Sequence, residues 1–158
     1  MPERVYRVLL WAALFALMAL IFVFSAQPGE ASNSMTEAAV MPFAEKLASL
    51  QADGVEQLTE QLYLIIGTIV RKIAHLCEYA LLGVLLCLLL RAYGLGMRWL
   101  PVLLGVAYAI GDEVHQTFVP GRLGTSVDVL IDTAGVVLGV LAVQWISDFR
   151  RKKHVHDQ

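Results

Sequence analysis

Arg71-Lys72-Ile73-Ala74-His75-Leu76-Cys77-Glu78-Tyr79 opens an apolar run that continues to Leu90 without another charge. From Ile73 on, only His75 and Glu78 interrupt it. A run of this kind matches the roughly 17–25 residues that an α-helix needs to cross bilayer hydrocarbon. Its first turns nevertheless carry groups that hydrocarbon rejects. Working outward, three more apolar segments follow the same reading, and the expected spans are 5–24, 73–90, 99–118 and 127–146. The third reaches spanning length only by continuing through Asp112 towards Phe118. Helices are expected for all four, because lipid cannot satisfy exposed backbone groups. The expected fold is therefore all-α: a single polytopic membrane domain over residues 1–158, with four transmembrane helices and an outward-facing helical segment within 25–72.

Composition agrees. Of 158 residues, 58% are hydrophobic and 16% charged, whereas a soluble domain carries about 25% charged residues. With 12 Lys+Arg against 14 Asp+Glu, the net charge of −2 gives no basic field for a polyanion, so nucleic acid is not an expected partner. Cys77 and Cys87 stand about 15 Å apart along a helix, beyond the Cα separation of about 7 Å that a disulfide tolerates. They are read as packing residues. Arg4 and Arg7 before the first apolar run also suit a signal peptide. The uncharged core exceeds the usual h-region of about 7–15 residues, and further spans follow, so the expectation is a retained anchor.

Positive residues orient the chain. Arg4, Arg7, Arg91, Arg98 and the Arg150-Arg151-Lys152-Lys153 tail fall on one side, leaving Lys46, Arg71, Lys72 and Arg122 of the 12 Lys+Arg on the other. Both termini are expected in the cytoplasm, with the tail anchoring the last helix near anionic lipid. The outer segment is acidic (Glu30, Glu37, Glu45, Asp53, Glu56, Glu60) and begins with a Ser25-Ala26-Gln27-Pro28-Gly29 turn signal. Val55, Leu58, Leu62, Ile65, Ile66 and Ile69 then recur at helical spacing, which indicates an amphipathic helix on the outer leaflet. The alternative is one continuous helix over 55–90 that places Arg71 and Lys72 deeper.

Ionisable residues within spans are costly, at least about 2.5–3.5 kcal/mol at the bilayer centre, and usually face a protein interior or a wet cavity. Arg71, His75 and Glu78 share one helical stripe; Asp112, His115 and Gln116 share another; Asp128 and Asp132 form a third. The topology brings all three, with Glu113 and Arg122, to the outer ends of their helices. His75, Glu78, Asp112 and His115 are the candidates for proton transfer. Arg71, Lys72, Glu113, Gln116, Arg122, Asp128 and Asp132 are the candidates for ligand binding. The carboxylates and histidines include adequate metal ligands, but no His-Glu-x-x-His pattern is present, and neither a metal nor another cofactor is expected. Gly-x-Ser-x-Gly, a polar-set cysteine and a phosphate-cradling glycine loop are all missing from the sequence.

Structural roles compete residue by residue. Thr125 and Asp128 have capping-box spacing at a helix start. Gly135 and Gly139 form a small-xxx-small packing face. Tyr79, Trp99 and Tyr108 read as interfacial or packing aromatics, and Arg122 as a neutraliser of Asp112, Asp128 or Asp132.

Four motifs in order carry a resemblance: Arg71-Lys72-Ile73-Ala74-His75 with Glu78-Tyr79, Asp112-Glu113-Val114-His115-Gln116, Pro120-Gly121-Arg122, and Ser126-Val127-Asp128 through Asp132 to Gly135. In these the chain resembles the VanZ-like family of small bacterial membrane proteins, with residues 25–70 outside the matched motifs. The family is named for a protein that lowers susceptibility to teicoplanin, a lipoglycopeptide antibiotic. The resemblance implies an envelope role and assigns no catalytic residue. The expected function is binding or modifying an envelope component at an outer polar pocket, with membrane lipids, a lipid-linked precursor or a lipopeptide as partners. Altered glycopeptide susceptibility is one expected consequence. The alternative is a helical scaffold whose charges only fix packing.

Overall fold

In the computed structural model the chain is described at residues 2–28, 41, 46, 56–122 and 124–156, with backbone alone at 56–64 and 154–156. Among the described residues the chain is all-α, with four helices: α1 (Glu3–Ser25), α2 (Glu56–Ala92), α3 (Leu100–Gln116) and α4 (Ser126–His156). The acidic residues Glu30, Glu37, Glu45 and Asp53 of the expected outer segment, and Val55, lie outside the described residues.

Three helices are long and apolar enough to cross a bilayer, over Glu3–Ser25, Ile65–Ala92 and Ser126–Lys153. The remaining helix, α3, has 17 residues, about 25 Å at 1.5 Å per residue against about 30 Å of hydrocarbon. Its last turns carry the buried polar residues Asp112, Glu113 and Gln116. Val8, Leu130, Trp145 and Phe149 are well exposed, an apolar surface that suits lipid better than water.

Residues 56–90 follow the second of the two alternatives. α2 is a single helix of 37 residues, longer than the expected 73–90 span. Arg71 and Lys72 do not break it, because Lys and Arg are strong helix formers and their long stems carry the charge away from the axis. The helix stops through a Schellman turn: Gly94 adopts φ 74°, Leu95 N–H donates to the Leu90 carbonyl at 2.9 Å and Gly94 N–H to the Arg91 carbonyl at 2.9 Å. α4 similarly outruns its expected end and carries Arg150 to Lys153 as further helix.

Packing is organised around α2 and α4, where glycines let the backbones approach. A Cβ on Gly135 would sit 2.5 Å from the Leu76 carbonyl, and one on Gly139 would run into the Ala80 carbonyl. The small-xxx-small reading of this face holds. α1 contributes one buried stripe, Leu10, Leu14, Leu17 and Ile21, against Leu82, Leu86 and Leu89 of α2 and Val136 and Val140 of α4 in one core. Tyr79 is fully buried in that core, its ring 6.2 Å from that of Tyr108. Tyr108 in turn donates to the Met18 carbonyl at 2.7 Å, tying α3 to α1.

Each end of the bundle has its own chemistry. At one end, Arg7 donates to the Ala92 carbonyl at 2.9 Å and lies 4.8 Å from the centre of the Tyr93 ring. There too Arg91 hydrogen-bonds Ser147 and Arg98 stands 3.8 Å from Asp148. The opposite end gathers Ser25, the start of the charged stripe on α2, the end of α3 and the beginning of α4.

Candidate functional site

The α3–α4 connection builds that second end. Pro120-Gly121-Arg122 turns back through Gly121 at φ 74°, a conformation that favours glycine. The turn delivers Arg122 between α1 and α3. Its guanidinium donates to the Phe24 carbonyl at 3.0 Å and to Gln116 Oε1 at 3.3 Å. Burial, with the neighbouring Arg71 charge, pushes it below the ordinary arginine value, and it stays a cation. Thr125 then starts α4 as expected: Asp128 N–H donates to Thr125 Oγ1 at 3.2 Å, and Thr125 Oγ1–H donates to Asp128 Oδ2 at 2.8 Å. Thr125 thus caps the helix N-terminus, but the reciprocal half of the expected capping box is missing, because the Thr125 N–H goes to Glu113 rather than to Asp128.

The other Asp128 oxygen, Oδ1, accepts from Lys72 Nζ at 2.6 Å. One turn further into the bundle, His75 Nδ1 stands 3.6 Å from Asp132 Oδ1, and the Asp132 side chain is completely buried. Lys72 and His75, spaced i, i+3 on α2, therefore meet Asp128 and Asp132, spaced i, i+4 on α4, rung by rung. From α3, Glu113 Oε2 accepts the Thr125 N–H at 2.8 Å.

These groups surround one cavity of about 240 Å³, lined by Thr68, Arg71, Lys72, His75, Glu113, Gln116, Arg122, Asp128, Asp132 and two further residues, Gly121 and Ile131. Arg71, Lys72 and Arg122 face Glu113, Asp128 and Asp132, so the formal charge of the wall balances. Among the described residues, both Asp132 oxygens and Glu113 Oε1 are buried and accept no hydrogen bond, and the two residues are 0% and 5% exposed. Buried acceptors are normally partnered, so these three oxygens are exceptions within the wall.

The remaining candidates lie elsewhere. Asp112 is buried beside the cavity in a network of its own: Oδ2 accepts from Ser25 Oγ at 2.7 Å and from Gln116 Nε2 at 3.0 Å. Glu78, half-buried one turn below His75, lines no part of the cavity. His115 does not reach it either; its ring stacks on Phe22 of α1 at 4.5 Å. Ser25 and Thr68 were not singled out as site residues. Thr68 sits three positions before Arg71 on the same stripe, a spacing that could have revealed it. Ser25 carries no such signal, since its partner is on another helix. Among the described residues no three His, Cys, Asp or Glu side chains are grouped to hold a metal ion.

No curated protein and no solved structure matches the chain significantly. A family model described as VanZ/LLP1 matches residues 10–147, from the second turn of α1 to near the end of the apolar part of α4. The match takes in every residue of the cavity wall, and on that coverage the chain belongs to the VanZ/LLP1 family.

Proposed function

We propose that this membrane protein holds the polar head of an envelope component, a lipid, lipid-linked precursor or lipopeptide, in the cavity at the outer membrane face. The bundle sits with both termini in the cytoplasm, and α3 completes a four-helix span. One observation carries the reading: three helices and a turn bring charged groups to one cavity, and both oxygens of Asp132 and one of Glu113 lack hydrogen-bond donors among the described residues. The depth supports it. Arg71 and Arg91 are about 30 Å apart along α2, the thickness of the hydrocarbon, so with Arg91 at the inner boundary the cavity opens where outer-leaflet head groups lie. Arg71, Lys72 and Arg122 attract an anionic group, and His75 is the proton carrier nearest to it. Glycopeptide susceptibility would change where the component held is one that the antibiotic needs.

The test is lipid analysis of the full chain purified in detergent. Arg122→Gln should lower the amount of co-purifying envelope lipid at least fivefold at unchanged folded yield. Equal lipid content in the variant would remove the cavity from the function. The scaffold reading is favoured by the Lys72–Asp128 pair, which fastens α2 to α4. It requires Arg122→Gln to lose folded protein and leave lipid per folded chain unchanged.

A further inference from the structure

The opposite end of the bundle has a cavity of its own, about 330 Å³ between the foot of α2, the connection 93–99, the start of α3 and the last apolar turns of α4. Its wall changes character along the bundle axis. Cys87 and Leu90 line it towards the core, Leu95 and Met97 stand exposed on the connection, and Arg91, Arg98 and Arg151 line it at the end of the bundle. Asp148 is the one carboxylate among the lining residues, so three arginines against one aspartate leave a formal surplus of two positive charges. The first cavity has no such surplus.

The three cations differ in how far they are committed. Arg91 places Nη1 on Ser147 Oγ and the Val143 carbonyl and is a fixed part of the wall. Arg98 stands 3.8 Å from Asp148, beyond hydrogen-bonding distance, with its side chain 68% exposed. A surface pair of that kind holds an arginine only weakly. Arg151 is exposed and makes no hydrogen bond or ion pair among the described residues. It follows Asp148 by three positions, on the same face of α4, so Arg98 and Arg151 flank that carboxylate. Forked guanidiniums suit the oxygens of a phosphate, whereas the ammonium of a zwitterionic head would meet the positive surplus. The apolar part of the wall favours a phosphate that carries hydrocarbon over a free one. Basic pockets between membrane helices commonly seat anionic head groups in this way.

We propose that this second cavity binds the phosphodiester of an anionic phospholipid between Arg98 and Arg151, with the attached chains against Leu95 and Met97. With the chain oriented as above, that lipid belongs to the cytoplasmic leaflet. The inference is separate from the head-group reading of the first cavity. It also goes beyond the attraction of a basic tail for the membrane, because only Arg151 of the four tail cations lines the cavity, and Arg98 comes from a distant part of the chain.

The experiment uses the full chain in nanodiscs containing equal parts of phosphatidylglycerol, phosphatidylethanolamine and phosphatidylcholine, released into native mass spectrometry. Phosphatidylglycerol should be retained at least threefold over each of the others. Arg98→Gln with Arg151→Gln should bring that preference to parity. Arg150→Gln with Lys152→Gln removes the same charge from the same end of the bundle outside the cavity, and should leave the preference within twofold. Should the first pair fold poorly, Arg151→Gln alone, which breaks no contact among the described residues, should at least halve the preference. Equal retention of the three lipids, or equal losses from the two double variants, would overturn the inference. Displacement of the lipid by millimolar glycerol 3-phosphate would overturn it too, by making the ligand a soluble phosphate; resistance to displacement supports the lipid. A preference lost with Arg122→Gln but kept with Arg98→Gln and Arg151→Gln would move the anionic lipid to the first cavity, ending this inference and leaving the head-group reading intact.

Discussion

His75 on α2 and Asp132 on α4 approach to 3.6 Å through Nδ1 and Oδ1, with the carboxylate wholly buried. Both residues line the cavity, His75 with Nδ1 towards α4. His115, by comparison, spends its ring on Phe22. Replacing His75 by Gln should therefore lower lipid retention by at least fivefold, while His115→Phe, which keeps a stacking ring, should leave it within twofold. Native mass spectrometry of the two purified variants reads both values. Equal losses would mean that the histidines do not differ in role.

Asp112 acts through hydrogen bonds that an amide oxygen can also accept. Ser25 and Gln116 both donate to its Oδ2, so Asp112→Asn should keep the network and remain within about 1 kcal/mol of the unmodified protein. Asp112→Ala strands both donors and should cost about 1–3 kcal/mol. Thermal unfolding in detergent separates the two. A destabilised Asn variant with a stable Ala variant would show that the charge, rather than the bonding, is what α3 requires.

Glycines divide by what surrounds them. Gly139→Ala pushes a methyl into the Ala80 carbonyl and should destabilise by about 1–3 kcal/mol, the usual cost of overpacking. Gly111 has nothing within 4 Å of an added Cβ, and Gly111→Ala should be neutral or slightly stabilising, since alanine is the better helix former. Unfolding midpoints of both variants check the contrast, and a neutral Gly139→Ala would refute the tight α2–α4 contact.

Reporter fusions test the orientation. A fusion in the turn around Arg122 should report the outside, and fusions after Arg98 and after Lys153 the cytoplasm, as the distribution of positive residues requires. A cytoplasmic signal from the Arg122 turn would invert the bundle and place the cavity at the inner leaflet.

Much of this arrangement was legible in the sequence, for a geometric reason. Arg71 with His75, and Asp128 with Asp132, are i, i+4 pairs, and a helix holds such pairs on one face whatever it packs against. The Thr125 cap on the Asp128 N–H is likewise local. What could not be read was the rotation of each helix about its axis. At about 100° per residue, Glu113 and His115 point in nearly opposite directions, so once Glu113 faces the cavity, His115 must leave it. Grouping His115 with Asp112 by their i, i+3 spacing missed that exclusion. Glu78 fits the α2 stripe, but lies about 10 Å further along the axis than Arg71, below the cavity. The link from Ser25 to Asp112 joins α1 to α3 and is set by tertiary packing alone. The length of α2 was also ambiguous, because the basic pair at Arg71 and Lys72 suits either a membrane boundary or a helix interior.

An unbroken α2 has a mechanical consequence. Its 37 residues make a rod about 55 Å long, with the cavity wall near its middle and the Schellman turn at its foot. Such a rod has no joint between its N-terminal tip and the cavity, so a load applied at that tip cannot be absorbed there by bending. It must be carried as tilt past Arg71 and His75 and resisted where Gly135 and Gly139 of α4 grip it. Whatever leans on the tip therefore also leans on the cavity.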